Sequence, residues 1–211
     1  YGRLVPMHNI TSILASFEAF FGLMSFAVIT GLLYARFSKP RAFLQFSKNI
    51  IIRPFREQKA LMFRLATYKN NDLTDLSCEM LAAFAETKNG VTSNRFIPLE
   101  LDINRIQELV LNWTVVHIIN ENSPFFGMTK AQINDAKLEI IILVKGYAEY
   151  FSTYVQERTS YTYDEFEYDV QFVKMFSRGQ NKKKTVLDLD KLSELEKYRS
   201  PKRIFSKDRW S

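Results

Sequence analysis

The sequence predicts an α+β membrane protein: one transmembrane helix followed by a cytoplasmic immunoglobulin-like β-sandwich. Three observations predict it. Residues 10–34 form an apolar run of 25 amino acids with one charge, Glu18. That run ends in a basic cluster, ARFSKPR. Beyond it the chain breaks into short β-rich runs separated by turn residues.

At 1.5 Å rise per residue the apolar run makes roughly 37 Å of helix, enough to cross a hydrocarbon core ~30 Å thick with some tilt. The competing reading is a buried core helix, and the length of the run argues against it. A signal peptide fits poorly, because no basic segment precedes the run and the run is too long. The first residue is Tyr1 rather than Met, so the chain reads as a fragment. After the span come Arg36, Lys39, Arg41, Lys48, Arg53 and Arg56, with no acid before Glu57. Positive charge stays inside, so the β domain is expected in the cytoplasm and the protein in a plasma or inner membrane. Asn9-Ile-Thr11 is a weak sequon on the outer side.

Residues 1–9 read as a loop and 10–37 as the helix. Residues 38–48 read as a linker carrying the basic cluster, 49–195 as the β domain and 196–211 as a basic tail. Pro40 stops the helix, since the residue before a proline avoids helical geometry. Strand-like runs follow at 49–52, 61–68, 76–84, 96–101, 109–119, 138–145, 153–160 and 166–176. Turn signals lie at Arg53-Pro54, 69–72, 88–90 and 120–124. Near-regular spacing of short strands suggests a sandwich. One short helix is expected at 129–136, with Thr129 as its N-cap. A second is expected at 190–198.

Composition narrows the function. The formal charge of +6 resides in the tail: from Arg178 onward there are eleven basic and five acidic residues, and before it eighteen of each. No nucleic-acid motif accompanies that charge. The tail reads as a solvated segment, with attraction to anionic lipid as the sharper alternative. Cys78 is the one cysteine, so no internal disulfide forms. With only His8 and His117 beside it, no metal cluster is expected. Neither a nucleophile elbow nor a phosphate-binding glycine loop is present, and no enzyme activity is expected.

Chemistry concentrates on one helix stripe. Gly22, Phe26, Thr30 and Tyr34 recur every four residues and share a face, which Glu18 extends. A carboxylate facing lipid is costly, so this stripe should face other helices or water. Gly22 and Gly31 would permit bending or close packing. A plain dimerisation face remains an alternative.

GLLYARFSKPRA, then FSKNIII, LMFRLA and HIINENSPFFG resemble the inward-rectifier potassium channels, the bacterial branch most closely. Gly146, Glu149, Gln156, Arg158, Tyr161 and Glu165 follow in the order and spacing of that family, and 186–192 resembles its closing strand. Tyr1-Gly2 look like the last two residues of its Gly-Tyr-Gly selectivity filter, with Arg3-Leu-Val-Pro6 continuing as in bacterial members. The chain would then lack the outer helix, the pore helix and most of the filter. Two departures are Arg64-Leu-Ala-Thr67 and Phe166-Glu-Tyr-Asp169.

The resemblance implies a pore-forming subunit for passive potassium transport, working as a homotetramer without cofactors. Membrane lipids and potassium ions are its implied partners, and nucleic acid is not one. Phe26, Thr30 and Tyr34 would form the pore gate, with Gly22 and Gly31 as hinges. Phe26 stands where other members carry the acid that controls polyamine block, so strong rectification from that site is not expected. Arg36, Lys39, Arg41 and Lys48 would meet lipid phosphate, from a phosphoinositide or another anionic lipid. Asp75 and Glu165 would line the cytoplasmic pore, unless they are ordinary solvated surface positions. The rival reading is a single-span anchored β-sandwich that binds a partner and conducts nothing.

Overall fold

The computed structural model describes residues 6–69, 72–88, 91–178 and 185–199. Tyr1, Gly2 and residues 200–211 lie outside them, as do the centres of the turns expected at 69–72 and 88–90. The chain divides into two compact units, one ending at Pro40 and the other beginning at Arg41.

The first unit is α1 (Asn9–Phe37), long and apolar enough to cross a membrane and without a buried residue. It starts where the His8 N–H donates to Thr11 Oγ1 at 3.2 Å and Thr11 Oγ1 donates back to His8 O at 2.7 Å. Local hydroxyl bonds of this kind satisfy groups that a helix start leaves open. It ends with the Ser38 N–H on Tyr34 O at 2.9 Å, two residues before Pro40.

The second unit holds fourteen described strands. β1 (Leu44–Phe46), β2 (Ile50–Phe55) and β3 (Gln58–Thr67) precede β4 (Leu73–Lys88) and β5 (Val91–Leu99). β6 (Arg105–Glu108), β7 (Asn112–Ile119), the short helix α2 (Lys130–Asp135), β8 (Glu139–Ala148) and β9 (Thr153–Thr162) follow. β10 (Phe166–Tyr168), β11 (Val170–Phe172), β12 (Phe176–Arg178), β13 (Thr185–Leu187) and β14 (Leu195–Lys197) complete it.

Two five-stranded sheets form the sandwich. In one, β3 pairs with β7 along one edge and with β2 and then β1 along the other, and β10 joins β2 in parallel. In the other the order is β5-β4-β8-β9, with β6 sharing an edge of β4 with β5. Alternation along β8 puts Ile140, Ile142 and Val144 inward, all fully buried. They meet Phe63, Leu61 and Leu65 of β3 and Tyr161 of β9 in one core. Each such side chain contributes about 1.5–3 kcal/mol by leaving water. β2 and β3 are buried on both faces, because the β11–β14 ribbon covers Ile51, Ala60 and Met62 from outside through Val170, Phe172 and Leu195. That double burial explains the unbroken isoleucine triplet 50–52.

Three local expectations are corrected. Residues 190–198 form a 3-10 turn, Leu189–Ser193, and then β14. The leucine spacing reads as helical, but pairing with β11 and burial of Leu192 decide the outcome. The run at 166–176 splits into β10, β11 and the start of β12. The turn expected at Arg53-Pro54 lies further on: β2 continues to Phe55, and Arg56 makes the reversal at φ +54°.

Candidate functional site: a helix stripe, a basic linker and two acidic positions

On α1, Gly22, Phe26, Thr30 and Tyr34 form a continuous exposed stripe. Phe26 and Tyr34 are 69% and 74% exposed, eight residues or about 12 Å apart along the axis. A Cβ added at Gly22 or Gly31 meets nothing within 4 Å, so nothing within one chain requires glycine there. A close approach of other helices would require it.

Arg36 lies in the last turn of α1, where a cation complements the helix dipole. Arg36 and Lys39 are exposed on the helical unit, and Arg41 and Lys48 are exposed on the β unit. The Lys48 backbone N–H donates to Ser193 Oγ at 3.0 Å.

Asp75 occupies a bulge in β4, where the register with β8 shifts between Thr74 and Ser77. Its φ is +52°, a left-handed conformation that aspartate tolerates better than most residues. Gly146 opposite makes room: a Cβ there would lie 3.1 Å from Leu76 Cγ. The Asp75 carboxylate accepts from Arg105 Nε at 2.6 Å and from Tyr154 Oη at 3.4 Å. Glu165 is differently engaged. Its Oε2 accepts from the Thr162 N–H at 2.8 Å and from Thr162 Oγ1 at 3.2 Å, capping the 3-10 turn Tyr163–Glu165. Thr74 pairs with Tyr147 near one end of β8, and Thr162 pairs with Glu139 at the other. The two acids therefore stand at opposite ends of one strand pair, roughly 26 Å apart at ~3.3 Å per residue.

Sequence reasoning missed the partners. Arg105 lies thirty residues from Asp75 in sequence, and no local pattern joins them. The cap at Glu165 was readable as Thr-x-x-Glu. Also missed was the tip between β8 and β9. There the 3-10 turn Glu149–Phe151 exposes Tyr150 to 82% and Ser152 reverses the chain at φ +49°.

With this geometry in place, comparison with known proteins is decisive. The inward rectifier potassium channel C-terminal domain matches residues 44–210. The chain belongs to the inward rectifier potassium channel family. It is 31% identical over 196 residues to the inward rectifier potassium channel Kirbac3.1 of Paramagnetospirillum magnetotacticum, covering 92% of this chain and 66% of that one. The G protein-activated inward rectifier potassium channel 4 of Mus musculus is 31% identical over 71% of this chain and 38% of its own length. Human G protein-activated inward rectifier potassium channel 1 is 28% identical over 78% and 34%. The chain thus spans just under two thirds of the bacterial relative and just over a third of the mammalian ones. These relatives are channels and not enzymes, and the α+β architecture of one apolar helix with a β-sandwich is that of a family member.

Proposed function

We propose that this chain is the inner helix and cytoplasmic domain of a homotetrameric pore-forming subunit that conducts potassium passively across a membrane. The observation that carries it is the exposed stripe Gly22-Phe26-Thr30-Tyr34 on a helix of membrane length, in a chain that belongs to a potassium-channel family. A stripe that is bare on one chain becomes the wall of a pore once symmetry copies enclose it. Phe26 and Tyr34 are then two aromatic constrictions, with Thr30 between them, that close by steric block and dewetting. Gly22 and Gly31 are points of bending or close packing.

The basic residues after the span hold the β domain on the cytoplasmic side. Arg36, Lys39, Arg41 and Lys48 attract anionic headgroups by about 1 kcal/mol each, and a phosphoinositide is the regulator with the highest charge. Asp75 and Glu165 add negative potential at two levels of the cytoplasmic vestibule. Potassium selectivity belongs to the filter, of which Tyr1 and Gly2 are the proposed end.

The test is potassium flux in liposomes reconstituted with the full-length gene product. Potassium-selective flux that changes when Lys39 and Arg41 are neutralised is the expected result. Absence of flux from a correctly folded protein would favour the single-span binding protein instead.

A further inference from the structure

The β domain holds an apolar cavity apart from the helix stripe, the basic linker and the two acids. It measures about 660 Å³ and lies between the tip of the β2–β3 hairpin, the end of β7, the loop that leads into α2, and β10. Ile52, Ile119, Phe125, Met128 and Ile133 form its apolar walls. Phe125 and Ile133 are each 3% exposed, and Phe125 packs against Phe84 and His117 with ring centroids 6.0 and 5.8 Å away. The loop is pinned as well. The Met128 N–H donates to Phe125 O at 3.0 Å, and the Thr129 N–H donates to Gln132 Oε1 at 2.8 Å. Walls held in this way are formed before a ligand arrives, so little has to be ordered on binding. The volume falls in the range of small-molecule sites.

The polar groups in the cavity are few and of one kind. Tyr168, which pairs with Ile52 across β10 and β2, lines it. The Tyr168 Oη is buried and has no hydrogen-bond partner. A buried hydroxyl in that state has lost its water and gained nothing in return. Burial raises its pKa, so the phenol keeps its proton and has it to donate. Lys130 Nζ lies 4.9 Å from the Tyr168 ring centroid. Lys59 is the second cation of the lining and Glu57 its one acid, and all three charged side chains are exposed. Among the described residues no ion pair engages Lys59 or Lys130. An apolar pocket with an unused O–H donor and a rim of net positive charge complements an anion with an apolar body. A multiply charged anion fits poorly, because the walls offer its further charges no partners and Glu57 repels them.

We infer that the cavity between Phe125, Met128 and Tyr168 binds a small monocarboxylate with an aryl or alkyl body. The body lies against Ile119, Phe125 and Met128. The carboxylate accepts from Tyr168 Oη and is drawn by Lys130. Reaching the buried Oη requires a neighbour to shift, and Lys130, exposed on a flexible stem across the tyrosine ring, has the freedom to do so. The site lies within the β domain and is independent of the gate and of the basic linker proposed above.

Ligand-observed NMR titration of the full-length protein in nanodiscs, with empty nanodiscs as the blank, tests this with two probes: 4-phenylbutyrate and its neutral analogue 4-phenyl-1-butanol. Saturable binding of 4-phenylbutyrate is expected, about tenfold tighter than that of the alcohol, the size of one charge-assisted contact. Tyr168→Phe should weaken the carboxylate about threefold to tenfold. Its midpoint of thermal unfolding should stay level or rise, since Oη has no partner to lose, a combination that a purely structural tyrosine would not give. Lys130→Gln should weaken 4-phenylbutyrate about threefold and leave the alcohol unchanged. Phe126 also lines the cavity and is 56% exposed, so Phe126→Ala keeps the core intact and should weaken both probes. No saturable binding of either probe would overturn the assignment. So would carboxylate binding unchanged in both Tyr168→Phe and Phe126→Ala, because the probe would then sit elsewhere. Equal affinity for the two probes would overturn the carboxylate and leave a neutral apolar pocket.

Discussion

Arg105 occupies the carboxylate of Asp75: Nε lies 2.6 Å and Nη2 2.5 Å from the same oxygen, Oδ1. An acid so paired projects less negative potential than a free one, although both partners are partly exposed and water screens the pair. Asp75→Asn should therefore change conductance and magnesium block little. Arg105→Gln should do more, making block by internal magnesium several-fold more potent by unmasking Asp75. Asparagine also accepts the left-handed backbone at this bulge, so Asp75→Asn should fold normally. Equal and large effects of both variants on block would mean that Arg105 does not screen Asp75.

The bulge itself depends on Gly146. A methyl group there would press Leu76 Cγ at 3.1 Å, with Thr74 O at 3.5 Å behind it. Leu76 is fully buried, so its side chain has little room to yield. Gly146→Ala should cost about 1–3 kcal/mol by overpacking, read as a lower midpoint of thermal unfolding for the full-length protein in detergent. An unchanged midpoint would mean that Leu76 repacks freely.

The span was legible because membrane length and charge exclusion act on consecutive residues, and 10–34 satisfies both. The sandwich was legible from short β-rich runs at near-regular spacing with turn residues between them. Residues 190–198 were not, because Leu189, Leu192 and Leu195 fit a helical period as well as a turn and strand. Only the distant β11 and the cluster around Met62 choose between them. The same holds for the candidate site. The stripe Gly22 to Tyr34 is local and was read directly, whereas the Arg105–Asp75 pair is made by folding.

Tyr161 predicts behaviour at alkaline pH. Its Oη donates to Ser47 O at 2.6 Å and burial pushes its phenol up to about 12. The unfolded phenol ionises near 10, so above that value the unfolded state loses a proton that the folded state keeps. Stability should fall from pH 10 towards pH 12 by up to about 3 kcal/mol at this one site. Tyr161→Phe should cost about 1–3 kcal/mol at neutral pH through the unpaired carbonyl, while removing part of the alkaline slope. Denaturant midpoints across that range would decide it, and an identical slope in the variant would refute the assignment.

His117 predicts the opposite limb. Nδ1 lies 2.6 Å from Glu100 O, an acceptor only, so Nδ1 carries the proton and Nε2 accepts from Ser123 Oγ at 2.8 Å. The ring is 3% exposed and burial lowers its pKa below 6.5. The unfolded imidazole gains a proton as pH falls through 6.5 while the folded one resists, so stability contributed here is lost on acidification. Amide exchange in the segment Asn120–Phe126, where Ser123 anchors the turn, should quicken between about pH 7 and pH 5 beyond its intrinsic pH dependence. His117→Gln should abolish that extra response, and its persistence would locate the titrating group elsewhere.

The gate makes the strongest demand on the proposed function. Phe26 and Tyr34 are both more than two-thirds exposed on one chain, and both lie on the stripe that four copies would turn inward. Removing either ring from a closed constriction widens it by a full aromatic layer and lets water enter. Tyr34→Ala and Phe26→Ala should each raise closed-state potassium leak in liposomes, and the double variant should raise it further because the rings are about 12 Å apart and act as separate layers. Gly22→Ala supplies the control for packing. A methyl group there meets nothing within one chain, so any loss of tetramer in native mass spectrometry would report contact between helices. Leak unchanged in all three gate variants, in protein that still runs as a tetramer, would remove Phe26 and Tyr34 from the gate.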